Sequence, residues 1–280
     1  MTPEALPQIS FSETAYAKIN LALHVRKRRD DGYHELETLF AFVDQGDELS
    51  FTEGGPGDYL RVTGEFADDV GSLEENLAWR AMQLDTDRFS LIATLDKRLP
   101  VAAGLGGGSA DAGAALRAIY RFSGVRERIG QHEIAALGAD VPACVDSVTC
   151  IGRGTGTRLE PVRNDLAGCA VLLVNPRTKL STGPVFRAWD GKDRGALPAG
   201  SVRDIAMAGR NDLEEPAIML CPQISSVLAA LRQTSPMLAR MSGSGATCFA
   251  LYGSQSERDE AHSHITDRHP EWWTLSGNLR

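Results

Sequence analysis

The chain has 280 residues, of which 42% are hydrophobic and 24% charged, and its formal net charge is −8. These values are typical of a globular protein with one large or two ordinary domains, and the acidic balance argues against nucleic acid as a general partner. The N-terminus is polar and no segment approaches the length of a membrane span, so we expect neither a signal peptide nor a membrane anchor. Five scattered cysteines predict reduced thiols in a cytoplasmic protein and no structural zinc site.

In the first half, hydrophobic alternation predicts a strand over residues 15–25. Ala17 and Ile19 fall on its apolar face, and Lys18 and Asn20 fall on its polar face. Further strands are predicted over residues 37–43, 47–51, 60–63, 89–95 and 148–158, with a loop at 54–57. Helices are predicted over residues 73–86, 109–122 and 131–137, and Ser109 is the expected N-cap of the second.

In the second half, the apolar run at residues 170–175 predicts a buried strand. Helices are predicted over residues 184–189, 211–219, 223–233 and 257–268, with an exposed loop at 191–201 and a strand after a glycine turn within 239–252. Strands and helices do not alternate strictly, which favours an α+β fold over a doubly wound sheet. The polar segment 161–168 is the predicted boundary between domains at 1–165 and 166–280.

Four glycines crowd residues 104–108, directly before the alanine-rich helix; we call residues 104–109 the glycine loop. Glycine lets backbone N–H groups approach a ligand closely, and the start of a helix attracts anions, so this loop predicts binding of a phosphate chain. It lacks the lysine of a Walker loop and the last glycine of a dinucleotide loop, and the chain lacks the protein-kinase triplets. A tight turn with a close helix contact is the alternative.

Two charged residues are candidates for phosphoryl-transfer chemistry. Lys18, beside Asn20 on the polar face of the first strand, would supply the cation that the glycine loop lacks; the alternative is a surface lysine. Asp140 lies between Gly138 and Pro142, and a carboxylate there would accept a proton or position a metal; the alternative is a turn residue. A second glycine cluster, residues 241–247, offers further anion-binding groups, and we call it the C-terminal glycine loop.

Taken together, five segments resemble the GHMP small-molecule kinases, in the expected order and over almost the whole chain: residues 17–21, 31–36, 100–109, 138–142 and 242–246. The resemblance implies a two-domain GHMP kinase fold, with an N-terminal domain like ribosomal protein S5 domain 2 and a ferredoxin-like C-terminal domain. The segment 32–36 resembles the corresponding segment of the GHMP kinase branch whose acceptor is a cytidine diphosphate conjugate of methylerythritol. The implied activity is ATP-dependent phosphorylation of its 2-hydroxyl in isoprenoid precursor synthesis.

The resemblance also implies roles for individual residues. Lys18 and Asp140 would be catalytic, and Ser109 would help to hold Mg²⁺. The implied ATP-binding residues are Asn76, Lys97, Pro100, Ala103, Gly104, Leu105, Gly106, Gly107, Gly108, Ser109 and Ala110. The implied acceptor-binding residues are Asn20, Tyr33, His34, Phe186, Gly243 and Ser244. Tyr33 and Phe186 resemble rings that sandwich cytosine, while His34 would read its edge.

Two alternative functions stay open on the sequence. One is another GHMP kinase, acting on homoserine, mevalonate or a sugar; the other is a nucleotide-binding sensor without catalysis. Two stretches match the family pattern less closely: Ala143 replaces a bulkier apolar residue, and residues 179–186 align loosely. The sequence is compatible with a homodimer, and Trp272 and Trp273 form either a contact surface or a packed tail.

Overall fold

Two β-sheets organise the chain. The computed structural model describes residues 10–53, 59–84, 91–124 and 129–280. Six strands form the first sheet: β1 (Ser10–Arg28), β2 (His34–Glu53), β3 (Tyr59–Thr63), β4 (Leu91–Asp96), β5 (Cys150–Gly154) and β6 (Arg158–Pro161). Its order is β3-β4-β2-β5-β6 with β1 also paired to β2, and only the β3–β4 pair is parallel. Four antiparallel strands form the second sheet in the order β10-β7-β9-β8: β7 (Ala170–Asn175), β8 (Leu238–Met241), β9 (Cys248–Tyr252) and β10 (Trp273–Asn278).

The α-helices pack on these sheets. In chain order they are α1 (Leu77–Met82), α2 (Gly107–Ser123), α3 (Gln131–Leu137), α4 (Val141–Asp146), α5 (Thr182–Ala188), α6 (Val202–Ala208), α7 (Glu214–Leu220), α8 (Gln223–Gln233) and α9 (Gln255–Arg268). No helix in these described ranges is both long and apolar enough to cross a membrane.

Strand alternation divides the apolar residues into three cores. One face of the first sheet, including Phe40 and Phe51, packs against α1–α4. Its other face, including Ile19, packs against Leu173 and neighbouring residues of the second sheet, and Ile205 of α6 packs into the same core. The far face of the second sheet packs on α5 and α7–α9. The layers therefore run helices, sheet, sheet, helices, and the α+β prediction is confirmed.

The face of β1 that carries Lys18 and Asn20 is buried as well, although the sequence presents it as polar. Lys18 is 4% exposed and Asn20 3% exposed, so the surface-lysine alternative is wrong. The pairing of β1 with β2 shifts register between Tyr16 and Lys18 and again between Asn20 and Ala22. Alternation could not reveal this burial, because the polar side chains line an internal cavity.

The buried Arg240 ties the two sheets together. On β8, its guanidinium donates to the carbonyls of Leu21 on β1, Ala206 on α6 and Gly209. Burial lowers the pKa of Arg240 to about 10, and the nearby Glu214 partly offsets that effect. The three hydrogen bonds that Arg240 donates offset the free-energy cost of burying its charge between the two sheets.

Several predicted elements differ from the structure. Residues 37–43 and 47–51 belong to one long strand, β2, and the predicted helix over 73–86 is a 3₁₀ turn, Leu73–Glu75, followed by the short α1. The end of the predicted loop at 191–201 leads into α6, and β10 was not predicted. Trp273 lies in β10 and is 5% exposed, as the packed-tail alternative predicts, whereas Trp272 is half-buried. Residues 54–57, 85–86 and 89–90 of the predicted elements lie outside the described residues. The division at 165 and 166 stays a prediction; it falls between β6 and β7.

Candidate active site

A cavity of about 790 Å³ opens between the glycine loop, the polar face of β1 and the start of α5. Its wall includes Lys18, Asp140, His34 and Phe186 together with both glycine loops. Residues far apart in the sequence therefore share one space, which is large enough for a bound small molecule.

The glycine loop enters α2 through Gly106, whose φ of +62° makes it a left-handed N-cap. Ser109 was expected as the N-cap, and that prediction is wrong: the helix begins at Gly107, so Ser109 lies in its first turn. The first helical hydrogen bond runs from the N–H of Ala110 to the carbonyl of Gly106 at 2.8 Å. The N–H groups of residues 107–109 therefore precede the helical ladder and remain to bind an anion.

The two glycine loops pack directly on each other. A Cβ on Gly104 would lie 2.4 Å from the carbonyl oxygen of Ser242, so only glycine fits there. The hydroxyl of Ser242 donates to the carbonyl of Gly104 at 2.8 Å and accepts from the N–H of Asn20 at 3.2 Å. The side chain of Asn211 donates to the carbonyl of Gly243 at 2.8 Å. The C-terminal glycine loop is thus fixed against both the glycine loop and β1.

Lys18 and Asp140 form an ion pair at the base of the cavity. Lys18 Nζ lies 3.0 Å from Asp140 Oδ2; the lysine side chain is 5% exposed and that of Asp140 is 33% exposed. Lys18 Nζ also donates to Asn20 Oδ1 at 3.0 Å, and Asn20 Nδ2 donates to Thr38 Oγ1 at 2.7 Å. The lysine is therefore held by two neighbours, while the carboxylate still faces the open space.

Beneath the glycine loop lies a buried cluster that sequence reasoning missed in part. Lys97 Nζ donates to Asp47 Oδ2 and, at 2.8 Å, to Asp111 Oδ2. Asp47 Oδ1 accepts from the N–H groups of Arg98 at 2.6 Å and Leu99 at 2.8 Å. No local motif marks Asp47, because it reaches Lys97 only through the pairing of β2 with β4.

Burial disfavours the charged forms of both Lys97 and Asp111 in this cluster. Burial alone would lower the pKa of Lys97, but the carboxylates of Asp111 and Asp47 outweigh it and hold that pKa above its ordinary value. Burial raises the pKa of Asp111, although the lysine opposes the shift. Asp111 Oδ1 is buried without a hydrogen-bond partner among the described residues. Lys97 therefore stays charged, and its ammonium is committed to the two carboxylates.

Asn76 caps the start of α1 at the rim of the cavity. Its Oδ1 accepts from the N–H groups of Ala78 at 2.9 Å and Trp79 at 3.2 Å. That use of the oxygen leaves the amide nitrogen as the group able to donate to a ligand.

The rings of Tyr33, His34 and Phe186 line another part of the cavity. Tyr33 is 64% exposed, whereas His34 is 8% exposed. The ring of His34 lies 5.0 Å from that of Phe186 and 5.8 Å from that of Trp189, measured between centroids. Burial, with a smaller contribution from Arg28, lowers the pKa of His34, and its Nε2 is buried without a hydrogen-bond partner among the described residues. A neutral imidazole nitrogen is therefore available to bind a ligand.

The cavity wall contains every predicted site residue except two. Leu105 and Ala110 are each 1% exposed and pack in separate hydrophobic cores, so their side chains anchor the loop and α2 instead of lining the cavity. The backbone carbonyl of Leu105 accepts from the N–H of Lys18 at 2.9 Å, which joins the loop to β1. Among the described residues, no group of three or more His, Cys, Asp or Glu could hold a metal by itself.

Family models of known proteins match both halves of the chain. The model of the GHMP kinases N terminal domain matches residues 76–154, and that of the GHMP kinases C terminal domain matches residues 196–271. The 4-diphosphocytidyl-2-C-methyl-D-erythritol kinase of Novosphingobium aromaticivorans is 59% identical over 100% of this chain and 98% of its own length. The kinase of the same name from Erythrobacter litoralis is 56% identical over 96% of this chain and 99% of its own.

Solved structures show the same likeness. A crystal structure of 4-(cytidine 5'-diphospho)-2C-methyl-D-erythritol kinase superimposes with a TM-score of 0.79 and 32% identity, over 96% of this chain and 99% of that one. Homoserine kinase from Cytophaga hutchinsonii has a TM-score of 0.68 but 14% identity, over 100% of this chain and 98% of that one, so it shares the fold alone. The chain therefore belongs to the GHMP kinases, among relatives named as 4-diphosphocytidyl-2-C-methyl-D-erythritol kinases.

Proposed function

We propose that this enzyme transfers the γ-phosphoryl group of ATP to the 2-hydroxyl of 4-diphosphocytidyl-2-C-methyl-D-erythritol, releasing ADP, in the synthesis of isoprenoid precursors. The relatives named as kinases of this acceptor match 96–100% of the chain. The observation that carries the proposal is a single cavity containing the Lys18–Asp140 pair, the glycine loop and the ring of His34.

Lys18 and Asp140 are the proposed catalytic pair. The acceptor oxygen attacks the γ-phosphorus, the bond from that phosphorus to the bridging oxygen breaks, and ADP leaves with its electrons. Asp140 accepts the hydroxyl proton or orients the hydroxyl, and the Lys18 ammonium stabilises the negative charge on the transferring group. The 3.0 Å separation of the pair supports a shared role at the reacting atoms.

ATP would lie along the glycine loop, with its phosphates on the N–H groups of residues 107–109. Asn76 and Lys97 are the proposed neighbours of the nucleoside, and the amide nitrogen of Asn76 is the group best suited to donate there. Because Lys97 Nζ already bonds two carboxylates, we assign it the support of the loop from below.

The oxygens at this end of the cavity suit Mg²⁺, which prefers a few carboxylate or hydroxyl ligands together with phosphates and water. Ser109 and Asp140 both line the cavity, and an ideal Cβ on Gly138, two residues before Asp140, would be 3.8 Å from Ser109 Oγ. We propose Ser109 as a ligand, and the carboxylate of Asp140, which lines the same cavity, as a second oxygen that would bind the ion. Bound there, Mg²⁺ would neutralise phosphate charge.

The acceptor's cytosine would lie between Tyr33 and Phe186, with His34 bonding its edge. Stacking stabilises a flat base on both faces, and the exposed Tyr33 is free to close over it. Asn20, Gly243 and Ser244 would border the methylerythritol end, because they surround the Lys18 side of the cavity.

The experiment is ADP release by the purified enzyme with ATP and four acceptors in parallel: the cytidine conjugate, homoserine, mevalonate and galactose. We expect turnover with the first alone. Turnover with another acceptor would support the other GHMP kinases, and nucleotide binding without turnover on any of the four would support a sensor.

A further inference from the structure

The cavity contains one cation whose role the proposed mechanism leaves open. Among the described residues that line it, the Lys and Arg side chains are Lys18, Lys97 and Arg187. Lys18 is paired with Asp140, and Lys97 with Asp47 and Asp111. Arg187 is exposed, and its side chain forms no ion pair or hydrogen bond with any described residue. It is therefore the cation available to a ligand.

The backbone around Arg187 is held in place. Arg28 at the end of β1 donates to the carbonyl of Arg187 at 3.0 Å and to that of Trp189. The guanidinium of Arg187 folds back toward the first turn of α5, since a Cβ on Gly183 would lie 3.2 Å from its Nη1. Its charge is thus placed beside Gly183 by a helix end that is anchored to the first sheet.

That position is intermediate between the two ends of the cavity. On one side is Phe186, with its ring 5.0 Å from His34. On the other side, Thr182 Oγ1 lies 3.0 Å from Ser244 Oγ, and a Cβ on Gly243 would lie 3.1 Å from Asn20 Oδ1. Asn20 in turn accepts from Lys18. The wall therefore runs from rings, past Arg187 and the hydroxyl pair, to the catalytic lysine.

The proposed acceptor has its groups in the same order: a cytosine base, a ribose, a diphosphate and the polyol that receives the phosphoryl group. With the base at the rings and the hydroxyl at Lys18 and Asp140, the diphosphate falls in the middle of the wall. A cation stabilises a bound diphosphate, and the forked guanidinium suits phosphate oxygens.

We propose that Arg187 binds the diphosphate bridge of the acceptor and so makes the enzyme select a nucleoside diphosphate conjugate over a nucleoside. This inference rests on the proposed function. It assigns Arg187 to acceptor binding and not to the chemical step, so its loss should change the KM for the acceptor far more than kcat.

The test compares Arg187→Gln with wild type, using cytidine, CMP and CDP as competitive inhibitors against the acceptor. We expect the variant to bind CDP about 10- to 100-fold more weakly, as suits a lost charged hydrogen bond, with cytidine unchanged within about twofold. The KM for the acceptor should rise by a similar factor while the KM for ATP stays constant. Arg187→Lys, which keeps the charge without the fork, should fall between the two.

Arg61→Gln is the matched control, because Arg61 is an exposed arginine on β3 that does not line the cavity. It should behave as wild type towards all three inhibitors. Equal weakening of cytidine and CDP by Arg187→Gln would overturn the inference, because it would mean damage to the base site. Unchanged CDP binding would overturn it too, while wild-type turnover of the conjugate would leave the proposed function standing. If CDP failed to compete in wild type while the conjugate was still turned over, the inference alone would fail.

Discussion

Replacing Gly106 with alanine should lower kcat by displacing the side chain of Lys18, although no charged residue is replaced. Gly106 has a φ of +62°, and a Cβ there would lie 2.8 Å from Lys18 Cε and 3.7 Å from Asp140 Oδ2. The left-handed conformation costs an alanine roughly 1–2 kcal/mol, and the close contact moves the lysine stem. A displacement of about 1 Å at a reacting group can cost about 100-fold, so we expect kcat to fall about 10- to 100-fold.

The assay is steady-state ADP release combined with thermal unfolding, and Gly107→Ala is the control. A Cβ on Gly107 meets its nearest atom, Lys97 Nζ, at an ordinary 3.5 Å, and the residue is helical. This control should keep the folding stability of wild type or gain about 0.4–1 kcal/mol. Its KM for ATP should rise, because the added methyl group blocks close approach of the phosphates. Wild-type kcat in Gly106→Ala, or equal effects of both variants on kcat, would refute the proposed link between the loop and Lys18.

Tyr33→Ala should raise the KM for the cytidine acceptor and leave the KM for ATP unchanged, because this exposed ring belongs to the proposed cytosine site and not to the glycine loop. Equal losses for both ligands would indicate misfolding. Asp47→Asn should lower the free energy of unfolding by about 3–5 kcal/mol, the usual cost of breaking a buried ion pair, because it removes the charge that faces Lys97. A denaturation midpoint near that of wild type would contradict a stabilising role for this ion pair. The KM for the acceptor should be constant from pH 6.5 to 8, because burial and then Arg28 lower the pKa of His34 below 6.5 and the ring stays neutral. Below pH 6.5, protonation of His34 favours the unfolded and unliganded forms. Both folding stability and acceptor affinity should therefore decline there. A KM that changes within that window would assign the acceptor's hydrogen bond to another group.

The sequence predicted the features that depend on local pattern. Alternation predicted β1 and the apolar β7, and the density of glycine predicted a loop entering α2. The resemblance to GHMP kinases brought together residues that no spacing rule relates, such as Lys18, Asp140 and Phe186. The structure then placed these three on one cavity wall.

What the sequence could not predict depends on contacts between distant segments. Asp47 reads as one acidic residue of a strand, and only strand pairing brings it to Lys97. Ser109 has the chemistry of an N-cap, but the left-handed Gly106 begins the helix three residues earlier. Arg240 and Trp273 are buried by the packing of the two sheets, which no periodicity within either segment reveals.

Single-turnover phosphorylation by Asp140→Asn, with the cytidine acceptor and ATP both saturating, isolates the chemical step from binding. The amide keeps the shape of the side chain but cannot accept the hydroxyl proton. We expect the rate to fall by about 100- to 10,000-fold, with the Kd for ATP unchanged within about twofold in a direct binding measurement. A single-turnover rate near that of wild type would contradict the assignment of Lys18 and Asp140 as the catalytic pair.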